Sequence, residues 1–157
     1  MVDLRGISFG SPAAIVTSMA LVVGLDAATV TRAAVVGGLL VVGVADNLTD
    51  SLSVHIYQEA EQLAQRQAFR ATVANFCARF VVSSSFVPLV ALLPPAISIP
   101  ACVAWGFLLL CGLSYLLARA RGAAVLPEMG KHAAVAVLVI VISRALGLLV
   151  RAVLGGP

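Results

Sequence analysis

Long uninterrupted apolar runs are the feature that most limits how this chain can fold. Five runs follow one another over residues 12–28, 33–56, 71–93, 97–118 and 132–154. A helix of about 20 mostly apolar residues crosses the hydrocarbon core of a bilayer. Because lipid offers the backbone no hydrogen-bond partner, such runs form helices, and none shows the alternation of a membrane β-barrel strand. The sequence therefore predicts an all-α integral membrane protein with five transmembrane helices.

Composition agrees with a membrane-embedded chain. Hydrophobic residues make up 61% and charged residues 11%, with a mean hydropathy of +1.08. Soluble domains are about half apolar and a quarter charged. Since five spans leave little of the 157 residues over, we expect residues 1–157 to form one membrane domain in contact with the lipid bilayer. The basic residues flank the apolar runs and form no block, so nucleic-acid binding is not expected.

The segment between the second and third runs is markedly polar. Residues 57–70 (YQEAEQLAQRQAFR) are rich in the helix formers Ala, Gln, Glu and Leu. We expect the second helix to continue through this segment, to about residue 70, outside the membrane, and the third helix to cover residues 71–93. Residues 127–131 are expected to form a loop before the fifth helix.

Lysine and arginine placement predicts an orientation. The expected inner segments hold Arg5, Arg66, Arg70, Arg119, Arg121 and Lys131, and the outer segments hold Arg32 and Arg151. Basic residues favour the cytoplasmic side of a membrane. We therefore expect a cytosolic N-terminus and a C-terminus on the opposite side, in a multi-pass protein of a prokaryotic plasma membrane.

Polar residues crowd the second half of the second run. At about 100° per residue, Asp46, Asp50, Ser53 and Glu61 fall on one stripe of a helix, with Asn47 beside it. Ionisable groups within a span are costly, so they usually face the bundle interior and serve a function. Carboxylate and amide oxygens suit hard or borderline cations such as Mg²⁺, Mn²⁺ and Fe²⁺. A carboxylate pair can also relay protons.

Two interpretations of this stripe stay open. Repulsion between Asp46 and Asp50 is relieved by a bound cation, by a shared proton, or by an arginine in a structural ion-pair network. Arg79 and Arg144 are the intramembrane arginines that would serve the last role. Beyond the membrane, the glutamates that follow belong either to a solvated connector or to a cation-attracting vestibule. The candidate metal ligands are Asp46, Asn47, Asp50, Ser53, Glu59 and Glu61.

Two stretches resemble the first two helices of the vacuolar iron transporter family. They are residues 10–24 (GSPAAIVTSMALVVG) and 35–61 (VVGGLLVVGVADNLTDSLSVHIYQEAE). Within the second, residues 50–54 (DSLSV) match the family's Glu-Tyr-Leu-Ser-Val-type motif with Asp50 in place of glutamate, and residues 83–95 look like its third helix. The resemblance implies five helices, a homodimer with a path between the first helices, and transport of iron or manganese.

The chain departs from the family pattern at functional positions. The family's first-helix aspartate falls at Ala13, with Pro12 in place of the neighbouring asparagine. The methionine that lines the family's path falls near Asp46, and residues 58–70 stand where the family has a glutamate-rich cytosolic metal-binding domain. A transport site would therefore have to be rebuilt around Asp46 and Asp50.

Together these features predict a divalent metal transporter rather than an enzyme. No nucleophile–base constellation and no zinc-binding helix motif is present in the sequence. We expect no required cofactor, with Fe²⁺ or Mn²⁺ as the transported or bound cation and proton coupling left open. The alternative is a non-transporting membrane subunit or assembly module, in which the intramembrane charges only hold the helices together.

Overall fold

The described part of the chain is built from helices. The computed structural model describes residues 4–28, 31–62 and 64–155, with side chains from Gly10 onward. The helices are α1 (Leu4–Ala27), α2 (Arg32–Ala60), α3 (Gln65–Ser84), α4 (Val87–Leu92), α5 (Pro95–Arg121) and α6 (Val125–Leu154). No strand occurs within these ranges. The predicted all-α class is confirmed.

Five segments are long and apolar enough to cross a membrane, as predicted. They are Gly10–Ala27, Arg32–Ala60, Gln65–Leu92, Pro95–Arg121 and Val125–Leu154. The third consists of α3 followed by the short α4. The chain is therefore a multi-pass membrane protein by the length and hydropathy of its helices.

The third span is interrupted, where the sequence predicted one helix. Ser85 and Phe86 separate α3 from α4, and Pro88 occupies the first turn of α4. Proline has no N–H to bond to the carbonyl of Ser84, and its ring clashes with that carbonyl in a continuous helix. The break is packed: Phe86 is fully buried, and Trp105 donates from Nε1 to Ser85 Oγ at 2.9 Å.

The prediction that α2 extends to about residue 70 is wrong. The helix ends at Ala60, and Gln62 takes a left-handed conformation with φ of 56°. That conformation stops the helix, because a helical turn requires a negative φ. The next helix-forming residues begin α3 at Gln65, where Ala68 is fully buried against the bundle.

Two other helix ends differ from the prediction. Residues 127–131, expected as a loop, belong to the first two turns of α6, which begins at Val125. Pro127 is tolerated there because the first N–H groups of a helix have no partner within it. At the other end of the chain, α1 begins at Leu4, ahead of the first apolar run predicted at residues 12–28, and contains Pro12.

α1 lies at the centre of the bundle. It packs against α2, α3, α5 and α6, and its residues Ile15, Met19 and Val22 belong to the buried core. Small residues allow the helices to approach: the Met19 side chain fills the space beside Gly106, and α6 crosses α1 where Gly147 meets the Gly24 backbone. Close helix contacts of this kind are typical of membrane bundles.

The outer surface of the bundle is apolar, most of all along α6. Only 11% of the most apolar stretch of that span is buried inside the bundle. Its exposed large aliphatic side chains include Val135, Val137, Leu138, Val141, Ile142, Leu146, Leu148, Leu149 and Val150. A water-facing surface of this size would drive association. Contact with the lipid bilayer accounts for it.

Candidate functional site

A fully buried arginine lies at the centre of the polar cluster. Arg79 of α3 is 1% exposed and is the largest fully buried side chain among the described residues. Its Nη2 atom lies 2.9 Å from Asp46 Oδ2, and its Nη1 atom lies 2.6 Å from Asp50 Oδ2. One guanidinium therefore bridges both carboxylates of α2.

The guanidinium also donates hydrogen bonds to two neutral acceptors. Nε donates to Asn47 Oδ1 at 2.9 Å, and Nη1 donates to the Gly10 carbonyl at 2.6 Å. Asn47 and Gly10 are buried, so Arg79 ties α1, α2 and α3 together at one level of the bundle. A buried charge persists only when its donors are satisfied in this way.

The helical repeat of α2 explains how its residues reach Arg79. Asp46 and Asp50 are one turn apart and flank the guanidinium, while Asn47 points more deeply inward and is 1% exposed. Asn47 Nδ2 donates to the Gly43 carbonyl one turn earlier and lies 3.4 Å from Ser83 Oγ of α3. The amide is thus held with its oxygen toward Arg79.

The two carboxylates differ from their arginine in exposure. The Asp46 and Asp50 side chains are 42% and 45% exposed, against 1% for Arg79. The shortest contacts from Arg79 go to the Oδ2 atoms, and no hydrogen bond within the described ranges involves the Oδ1 atoms. Two carboxylates and one guanidinium give the cluster a formal charge of −1. The cluster therefore keeps a negative, partly exposed face with acceptor oxygens that make no hydrogen bond to the described residues.

α1 comes very close to the cluster at Gly10. A Cβ at this position would lie 2.6 Å from Asn75 Oδ1 and 2.7 Å from Arg79 Cδ. Any larger residue would push α1 away from the guanidinium. Glycine at this position therefore lets the backbone carbonyl accept a hydrogen bond from Arg79.

A second buried polar side chain adjoins the cluster. Asn75 lies one turn before Arg79 on α3, is 1% exposed, and donates from Nδ2 to Ser51 Oγ of α2 at 3.3 Å. Its Oδ1 atom is buried and has no hydrogen-bond partner among the described residues. A polar stripe with a repeat of four residues runs along α3 through Asn75, Arg79 and Ser83. This repeat is visible in the sequence and could have identified the face of α3 that lies opposite Asn47 and Ser51.

The six predicted ligands do not converge. Asp46, Asn47 and Asp50 meet at Arg79, but Ser53 is exposed and donates to the Thr49 carbonyl. Glu59 and Glu61 lie at the far end of α2. Glu59 faces His55 at 3.3 Å, and Glu61 is the exposed C-cap residue. Within the described residues, no group of three or more His, Cys, Asp or Glu side chains is placed to hold a metal ion.

The two candidate arginines differ in burial and in pairing. Arg79 pairs with both aspartates, as the structural interpretation allowed. Arg144 lies exposed on α6, and no ion pair within the described ranges involves it. The intramembrane charge of α2 is therefore balanced by α3 rather than by α6.

Comparison of the chain with protein-family models, with curated proteins and with solved structures finds no match. The resemblance to vacuolar iron transporters stays a prediction from the sequence.

Proposed function

We propose that this chain is a membrane transporter for a divalent metal cation, iron or manganese, and that Asp46 and Asp50 form its intramembrane cation site. The observation that supports this proposal is the unequal burial of the cluster. A structural ion pair repays the desolvation of its charges only when hydrogen bonds satisfy the remaining donors and acceptors of both partners. Here the arginine is buried while both carboxylates stay about half exposed, and their Oδ1 atoms make no hydrogen bond within the described ranges.

Arg79 has a definite role in this proposal. Two carboxylates one turn apart repel each other in a medium of low dielectric constant. The guanidinium offsets that repulsion and leaves a charge of −1, which attracts a cation without holding it as tightly as −2 would. Weak binding allows release, which transport requires. A single proton would also neutralise the cluster, so proton coupling is part of the proposal.

We also propose a cytosolic N-terminus, a homodimer and a location in a prokaryotic plasma membrane. The orientation is supported by the basic residues of the predicted inner segments, and the dimer by the resemblance to vacuolar iron transporters. A tag inserted at residues 122–124, between α5 and α6, should be accessible from the cytosolic side. Accessibility only from the opposite side would refute the orientation, and a monomer by mass in native nanodiscs would refute the dimer.

A second candidate function is a non-transporting membrane subunit. The observation that favours it is the number of contacts that Arg79 makes, which join three helices and both carboxylates. In this case the cluster serves only to fix the packing of α1, α2 and α3.

Single substitutions separate the two candidates. Asp46→Asn and Asp50→Asn each leave Arg79 one carboxylate, so the cluster becomes neutral without stranding a buried charge. For a transporter, we expect Mn²⁺ or Fe²⁺ flux into proteoliposomes to fall at least tenfold in both variants, with little change in melting temperature. Glu59→Gln is the matched control, because that acid lies on the same helix outside the cluster, and it should keep the flux. If the wild type shows no metal flux, the chain is the non-transporting subunit. If both variants keep full flux, Asp46 and Asp50 do not form the cation site.

A further inference from the structure

A basic cavity lies where the second and third spans meet, away from the Arg79 cluster. It has a volume of about 650 Å³. Its lining residues are His55 of α2 and Gln65, Arg66, Phe69 and Arg70 of α3. Gln65 and Arg66 are the first residues of α3, so the cavity lies at one end of the membrane-spanning bundle.

Two arginines give this cavity a positive charge that no ion pair within the described residues balances. Arg66 and Arg70 are one helical turn apart, and both are exposed. No ion pair within the described ranges involves either of them. Like charges at this spacing repel, and a shared anion relieves the repulsion. The forked guanidinium group matches the oxygens of a phosphate particularly well.

The remaining walls fit an anion that is attached to an apolar body. His55 is held in place, with Nδ1 3.1 Å from Thr72 Oγ1 and Nε2 3.3 Å from Glu59. Phe69 lies between the arginines in sequence and is 63% exposed. An exposed aromatic ring at the end of a span is typical of the interface between membrane and water. A free phosphate ion would leave this ring without a contact.

We infer that the cavity binds an anionic phospholipid, with Arg66 and Arg70 on the headgroup phosphate and Phe69 against the glycerol and upper acyl region. Basic pockets between spans at a membrane surface recognise lipid headgroups through this chemistry. The site is separate from the proposed cation site, since it shares no residue with the Arg79 cluster. A bound lipid there would join the ends of α2 and α3 across their connecting turn.

The test is lipid binding to the full chain in neutral detergent micelles. Phosphatidylglycerol or phosphatidylcholine is added, and lipid adducts are counted by native mass spectrometry while the melting temperature is recorded. We expect phosphatidylglycerol to bind and to raise the melting temperature, and phosphatidylcholine to do neither. Arg66→Gln with Arg70→Gln should weaken phosphatidylglycerol binding at least about tenfold, because hydrogen bonds between charged groups are lost.

The matched control is Arg119→Gln with Arg121→Gln, which removes the same charge at the end of α5, outside the cavity. It should keep the binding and the rise in melting temperature. An equal loss in both double variants would overturn the site in favour of general surface charge. If soluble glycerol phosphate raised the melting temperature as much as phosphatidylglycerol does, the ligand of the cavity would be a free anion and not a lipid. Unchanged binding in Arg66→Gln with Arg70→Gln would remove these residues from the site.

Discussion

Replacement of Arg79 by methionine tests how far the buried cluster holds the bundle together. Methionine has a similar length and fills much of the same space, so the change removes the charge and the donors with little loss of packing. The Asn47 amide oxygen would lose the donor that now satisfies it inside the bundle, whereas the Gly10 carbonyl would lose the guanidinium but keep its place in the α1 backbone. A buried acceptor without a partner costs about 1–3 kcal/mol.

The carboxylates add to the expected loss. Asp46 and Asp50 would lose their shared counter-charge and repel each other one turn apart, but because their side chains are 42% and 45% exposed, the cost stays below the roughly 3–5 kcal/mol of breaking a fully buried pair. Removal of a buried charge also relieves its own desolvation, which offsets some of the loss. The sum is a destabilisation of about 2–4 kcal/mol.

The assay is the free energy of unfolding in mixed micelles, measured by denaturant titration. Arg144→Met is the matched control, because Arg144 is also an arginine of a membrane span but lies exposed and makes no ion pair within the described ranges. It should change the free energy by less than about 1 kcal/mol. The reasoning would be refuted by an Arg79→Met variant as stable as the Arg144→Met control.

Two further predictions concern the packing of the bundle. Gly147→Ala should destabilise the bundle by about 1–3 kcal/mol, because the new Cβ meets the Gly24 backbone carbonyl, which cannot move without separating α1 and α6. The control is Gly112→Ala, which has nothing within 4 Å of the new Cβ and should be neutral or stabilising in the same unfolding assay. Equal effects of the two substitutions would refute the close contact between α1 and α6. Ser85→Ala removes the acceptor of the Trp105 indole and should cost about 1 kcal/mol. Because Trp105 is the one tryptophan of the sequence, its fluorescence emission reports the change directly, and an unaltered spectrum would count against the hydrogen bond.

The spans were predictable because lipid restricts what a chain can do. Apolar runs of the required length have no alternative to a helix, so five spans follow from the sequence. The turn at Gln62 and the break before Pro88 were not predicted. Residues 65–70 suit either the end of α2 or the start of α3, and the packing of Ala68 against the bundle decides between them.

The candidate site was predictable in part. The repeat of α2 places Asp46 and Asp50 on one face, and their cost in a membrane calls for a partner. Which arginine supplies it depends on how α3 and α6 rotate about their axes, and apolar runs carry little information on rotation. The contribution of Gly10 depends on an approach between α1 and α3 that no local pattern records.

The most direct test of the central claim is equilibrium binding of Mn²⁺ to the purified protein. The electron paramagnetic resonance signal of free Mn²⁺ is lost on binding, so a titration counts the sites. We predict one site per chain in the wild type and its loss in both Asp46→Asn and Asp50→Asn, with folding verified by melting temperature. Equal Mn²⁺ binding by the wild type and both folded variants, or none by the wild type, would contradict the assignment of Asp46 and Asp50 as the cation site.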